Sequence, residues 1–169
     1  MKSNAVLLEA FGRLKGIVHG AVRDLSSEEL HRRLAPEANS IAWLVWHLTR
    51  IQDDHIAGVA GTEQVWISEG WEERFGLPFE PSAIGYGHSS QEVAQVRVES
   101  ADLLTGYYDA TDARTMAFLD DLGEDDLDRV VDDRWDPPVT MCVRLVSVLC
   151  DNLEHAGQAQ FIRGIVHSG

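Results

Sequence analysis

Apolar side chains in this chain recur at steps of three and four residues, over stretches long enough to form helices. In the first stretch Val6, Leu7, Ala10, Phe11, Leu14, Ile17, Val18, Ala21, Val22 and Leu25 fall on one face, which predicts a helix over residues 4–24. Ser26 and Glu29 form a capping box, with Leu25 and Leu30 as its staple, and open a single short turn over 27–33. Asn39 or Ser40 can cap a second long helix that runs to about Val59. Its apolar residues, Ile41, Trp43, Leu44, Trp46, Leu48 and Ile51, surround the helix, so it should be the most buried element. Ser89 and Glu92 form another capping box, and Ser100 can cap a helix carrying Leu103, Leu104, Tyr107, Tyr108, Thr111, Met116, Phe118 and Leu119. The segment LGEDDLDRVV reads as a turn with at most one helical turn. The prolines of DPP (136–138) stop any helix before them. Thr140 caps the last helix, whose inner side is expected to carry Val143, Val146, Leu149, Leu153 and Ile162. Four long helices without a strand ladder predict an all-α fold, a four-helix bundle forming one domain over residues 1–169.

Residues 61–88 break this pattern. Gly61, Gly70, Gly76, Pro78, Pro81, Gly85 and Gly87 interrupt regular structure. The aromatic residues among them, Trp66, Trp71, Phe75, Phe79 and Tyr86, predict a packed connection between the second and third long helices, of the kind that forms lids and binding loops. Bulk composition removes several functions. A formal net charge of −14 repels phosphate backbones and anionic membrane surfaces, so neither nucleic acid nor membrane is an expected partner. No apolar run approaches a bilayer span, and MKSNAVLLEAFGRLKG, with Glu9 inside it, reads as helix and not as a signal peptide. Cys142 and Cys150, the two cysteines, lie eight positions apart on one predicted helix, about 12 Å along its axis and beyond disulfide reach. They read as small buried hydrophobes in a reducing compartment, and the expected location is cytoplasmic.

The chemistry concentrates in two places. Asp151 and His155, in DNLEHAGQAQFIRG, stand one helical turn apart and project from the same face. His47, in WLVWHLTRIQDDH, belongs to another helix. A carboxylate and two imidazoles are the donors that zinc and its neighbours accept, and three protein ligands with one open position is the count of a catalytic centre. Gln158 continues the polar stripe and could orient a ligand or touch substrate. Asp54 shares the His47 face at i+7 and could do the same or move protons, whereas Asp53 reads as solvated. On spacing alone, the commoner reading of Asp151 and His155 is a solvent-facing ion pair, and of His47 a hydrogen-bonded core histidine. His19, His31, His88 and His167 fall at element ends or on the surface with no evident partner.

Three stretches, WLVWHLTRIQDDHIAGVAGTEQVW, GWEERFGLPF…GYGHSSQEV and DNLEHAGQAQFIRG, resemble the DinB-like superfamily of metal-dependent four-helix bundles, and with WDPPVT the likeness spans nearly the whole chain. The resemblance implies that His47, Asp151 and His155 are the metal ligands. The sequence departs from the pattern at Asp151, where many members carry His and the mycothiol-dependent maleylpyruvate isomerase carries Glu. The elements GWEERFGLP and RLVSVLCDNLEH are similar to actinobacterial proteins implicated as mycothiol S-transferases. That likeness implies a detoxifying enzyme in which a divalent metal (zinc foremost, then nickel, iron or manganese) activates mycothiol or a similar small thiol towards a small electrophile. Asp54 and Gln158 would assist, and Trp66, Trp71, Phe75 and Tyr86 would shape the electrophile pocket. A homodimer is also implied, since members often pair through helical faces. The alternatives are a metal-dependent hydrolase, a mycothiol-dependent isomerase, and a non-catalytic metal-binding stress-response module.

Overall fold

Where the spacing predicts long helices, the chain forms them. The computed structural model describes residues 3–123 and 125–167. It runs through α1 (Ser3–Val22), α2 (Ser27–His31), α3 (Ile41–Ala60), α4 (Val65–Ser68), α5 (Trp71–Phe75), α6 (Ser90–Gln95), α7 (Ala101–Asp121), a 3-10 turn (Asp125–Asp128), β1 (Val130–Asp132), β2 (Val139–Thr140) and α8 (Met141–Val166). Capping chemistry sets the boundaries. Ser26 and Ser89 accept from the amides of Glu29 and Glu92, whose carboxylates reach back to the serine amides. Ser40, and not Asn39, accepts from the Trp43 amide, and Thr140 accepts from the Val143 amide. Ser100 precedes α7 without a side-chain cap bond. Gly61 ends α3 in the left-handed conformation, φ 68°. No helix among the described residues is long and apolar enough to cross a membrane.

Around the core the four long helices stand in the order α1, α8, α3, α7, with α1 opposite α3. Phe11, Leu14, Leu44, Leu48, Leu104 and Leu145 fill the centre and are fully buried, each contributing about 1.5–3 kcal/mol over an exposed position. Contacts fix the helix directions. Asn4 donates to the Leu119 carbonyl and His19 meets Asp109, so α1 and α7 are antiparallel. Gln160 donates to the Ile17 carbonyl and Arg163 to the Arg23 carbonyl, so α1 and α8 are parallel. Asn152 bonds Gln52 while Arg144 lies beside His55, so α3 and α8 are antiparallel. It follows that α3 and α7 are parallel neighbours. A 20-residue helix is about 30 Å long, so the chain must climb back over that length before α7 can start. Residues 61–100 are this return crossover. It packs against α3, which explains why α3 is buried around nearly its whole circumference, from Ile41 to Asp53.

Asp53 fastens the lower end of the crossover. It is 3% exposed, not solvated as its sequence context suggests. Its carboxylate accepts from the Val65 amide (2.8 Å), the Trp66 amide (2.7 Å) and the Tyr107 hydroxyl (2.8 Å). Beside it the fully buried Arg50 donates to the carbonyls of Pro81 and Ala83 and to the Gln64 side chain. Every hydrogen-bonding edge of this buried pair is thus engaged by the crossover or by α7, which is what makes two charges tolerable there.

Other departures from the sequence expectation lie in the last third. The segment LGEDDLDRVV holds the expected helical turn at Asp125–Asp128, but its end, from Val130, enters β1, which pairs antiparallel with β2 across a connection that contains a cis Asp136–Pro137 bond. The inner face of α8 is Met141, Leu145, Val148, Asn152, Ala156, Ala159 and Ile162, whereas Val143, Val146 and Leu153 are exposed and Leu149 is half-buried. The buried positions recur at three- and four-residue steps from Met141, and Val143, Val146 and Leu153 fall between them on the outer face. Cys142 and Cys150 are exposed free thiols, not buried hydrophobes.

Asp53→Ala leaves Arg50 as an unpaired buried charge and frees two buried amides. It should lower unfolding stability by about 3 kcal/mol or more, read from urea or thermal unfolding. An effect within a few tenths would show that the crossover does not depend on this carboxylate.

Candidate metal centre

Antiparallel packing of α3 on α8 brings His47 opposite Asp151 and His155. One ligand atom from each of the three lies within 4.8 Å of the others. The imidazoles of His47 and His155 meet edge to face with centroids 4.9 Å apart, and His155 Nε2 lies 3.6 Å from Asp151 Oδ1. His47 is buried, 4% exposed. Asp151 and His155 keep 31% and 19% of their side-chain surface, so the cluster is closed from the core and reachable from outside.

Each imidazole is held by its other nitrogen. His47 Nδ1–H donates to the Ile84 carbonyl at 2.5 Å, which leaves the Nε2 lone pair free. Its ring stacks on Trp43, centroids 4.5 Å apart and 16° between planes. His155 Nδ1–H donates to Gln158 Oε1 at 3.3 Å, which turns Nε2 towards Asp151. Burial pushes the pKa of His47 down to about 4, the Ile84 contact opposing this and the charges of His155 and His88 adding to it. Asp151 is raised, first by burial, with His155 pulling the other way. Its Oδ2 is buried and has no hydrogen-bond partner among the described residues. A neutral imidazole fixed in orientation beside an undersatisfied carboxylate oxygen is a donor set suited to a cation.

Gly85 makes the His47 position possible. Its φ is +89°, and a Cβ there would come within 2.7 Å of His47 Nδ1 and 2.9 Å of the Trp46 ring. The backbone can pass close enough for Ile84 to reach the imidazole only because this side chain is missing. Neither Ile84 nor Gly85 was legible as part of the site. The GYG run was a signal for an unusual backbone without saying what it approaches. Trp43, one turn before His47, was visible in the spacing.

The remaining expected site residues are spread more widely. Asp54 accepts from the Gln64 amide and pairs with His55, which, as the first cause, holds its pKa down. It lines a polar cleft of about 540 Å³ with His55, Asp132, Arg134 and Arg144, on the bundle side below the triad. On the other side, above His47 and His155, lies a groove of about 520 Å³ that includes Leu44, Gln158, Phe161 and Ile162. Trp66, Trp71 and Phe75 are buried around Tyr107 of α7, across α3 from the triad, while Tyr86 is 88% exposed. The histidines without an evident partner each have one. His19 meets Asp109, His31 accepts from the Val98 amide, His88 accepts from the Trp43 indole and His167 meets Glu29.

Two predictions arise from this geometry. Gly85→Ala forces a left-handed backbone on a residue with a side chain and displaces His47. It should lose about 2 kcal/mol or more of stability, read by thermal unfolding. His47 supplies a pH dependence. An unfolded histidine takes up a proton near pH 6.5, whereas the folded one resists until about 4. The unfolded state therefore binds more protons in that window, and stability falls as pH falls through it. In the presence of a chelator, wild type should lose up to about 3 kcal/mol more than His47→Gln over this range. Parallel pH profiles would contradict the burial assigned to His47.

Comparison with known proteins adds an independent line. A family model described as mycothiol-S-transferase matches residues 6–168. Among solved structures, the crystal structure of a conserved protein from Enterococcus faecalis is 32% identical, with 100% of this chain and 99% of that chain covered and a TM-score of 0.93. No curated protein matches the chain.

Proposed function

The chain belongs to the mycothiol S-transferase family, and on that footing we propose that it conjugates mycothiol to small electrophiles with a divalent cation held by His47, Asp151 and His155. Its fold is the all-α, DinB-like four-helix bundle. The observation that carries the metal assignment is Asp151 Oδ2, a buried carboxylate oxygen without a donor among the described residues, set beside two imidazoles. Such an oxygen is costly to bury unless a cation meets it. Zinc suits the mixed nitrogen and oxygen donors. When bound, the ion lowers the pKa of a thiol and so supplies thiolate near neutral pH.

The protein's own groups prepare that step. His47 stays neutral because it is buried, and the Ile84 carbonyl keeps its Nε2 lone pair directed at the cluster. Gln158 does the same for His155. Trp43 covers one face of the His47 ring and keeps water off it. Asp151 brings a negative charge that offsets part of a divalent charge. Its partial exposure, with that of His155, leaves an approach for a sulfur atom from outside.

Elemental analysis of the purified protein should find a divalent metal, and His155→Ala, which keeps only two of the three donors, should purify nearly free of it. Wild type should accelerate mycothiol addition to a fluorogenic electrophile, and a chelator should abolish that rate. A full metal complement in His155→Ala would remove His155 from the site. A metal-loaded protein with no thiol-dependent rate would refute the transferase.

A further inference from the structure

The groove above the triad is apolar, and the crossover aromatics do not line it. Leu44 stands one turn before His47, and Phe161 and Ile162 follow His155 by six and seven residues, so two walls grow from the same helices as the ligands, and residues 37–39, ahead of α3, close the third side. Gln158 belongs to both places, lining the groove while its side chain accepts from His155. The volume of about 520 Å³ falls within the range of small-molecule sites. Phe161 leaves 68% of its surface exposed at the groove, a large aromatic surface on an otherwise strongly acidic chain. Glu37 at the rim adds to a net charge of −14, which disfavours anionic occupants.

We infer that this groove binds the body of the electrophile, and that the preferred electrophiles are uncharged and apolar, laid along Leu44, Phe161 and Ile162 with the reactive carbon towards His155. The inference rests on the transferase reading above. For an alkyl chloride, the thiol sulfur forms a bond to carbon as the carbon–chlorine bond breaks. Chloride leaves with the bonding pair and the thiol proton passes to solvent.

Gly157 offers a clean obstruction. It lines the groove on an outward position of α8, and a Cβ there meets nothing within 4 Å. Gly157→Leu should fill the groove without disturbing the bundle. Two readouts follow. Tetramethylbimane, which has hydrogen where monochlorobimane has chlorine, should bind wild type and bind Gly157→Leu about tenfold more weakly. The ratio of kcat/KM for monochlorobimane over iodoacetamide, a small polar electrophile, should fall by a similar factor. Phe161→Ser, which removes an apolar wall from an exposed position, should move both readouts the same way. Unchanged binding and an unchanged ratio in both variants would overturn the assignment while conjugation by wild type continued. So would a change of mass in solution without a change of ratio, which would make the groove a contact between copies of the chain. Failure of metal-loaded wild type to conjugate either electrophile would overturn the transferase reading and this one together.

Discussion

One carboxylate holds the molecule in the form that allows a site. Asp53 lies under the amides of Val65 and Trp66 and against the Tyr107 hydroxyl, and so ties the beginning of the crossover to both α3 and α7. Since α3 and α7 are parallel, the chain between them must retrace the height of the bundle, and the Asp53 contact decides that it does so against α3. Two results depend on this. Helix α3 becomes an interior helix, which buries His47 on every side but one. The crossover also passes directly over His47, which delivers the Ile84 carbonyl and the side-chain-free Gly85 to its ring.

The two acidic clusters of α3 and α8 illustrate opposite treatments of a buried charge. Around Asp53 the fold provides amide and hydroxyl donors and the guanidinium of Arg50, so the carboxylate is satisfied by protein alone. Around Asp151 it provides two imidazoles turned nitrogen-first and leaves one oxygen without a donor among the described residues. Satisfaction of the first carboxylate makes it a structural tie. Incomplete satisfaction of the second is what marks it as a place for a ligand.

Much of this is legible in the sequence. The helical spacing, both capping boxes and the family resemblance located the four long helices, and the i,i+4 pair Asp151 and His155 together with His47 marked the cluster. What was not readable depends on how the helices are ordered in space. Asp53 looked solvated because its donors come from residues 65, 66 and 107, which the sequence places far away. Val143 and Val146 looked internal because they are apolar, yet the face of α8 that turns inward is the one shared by Leu145, Val148, Asn152, Ala156 and Ala159. The aromatics of the connection looked like the walls of a pocket, since a sequence does not disclose that consecutive long helices run parallel and need a return path. Trp66, Trp71 and Phe75 pack on Tyr107 as part of that path.

The fixing of the two imidazoles has a thermodynamic consequence. A histidine that must swing into place loses rotamer freedom when it captures an ion, and that loss subtracts from affinity. Here stacking on Trp43 and the hydrogen bonds to Ile84 and Gln158 have already settled both rings during folding. Capture then leaves chiefly Asp151 and the incoming species to be ordered, so the entropy of assembling the centre is largely charged to the folding of the polypeptide.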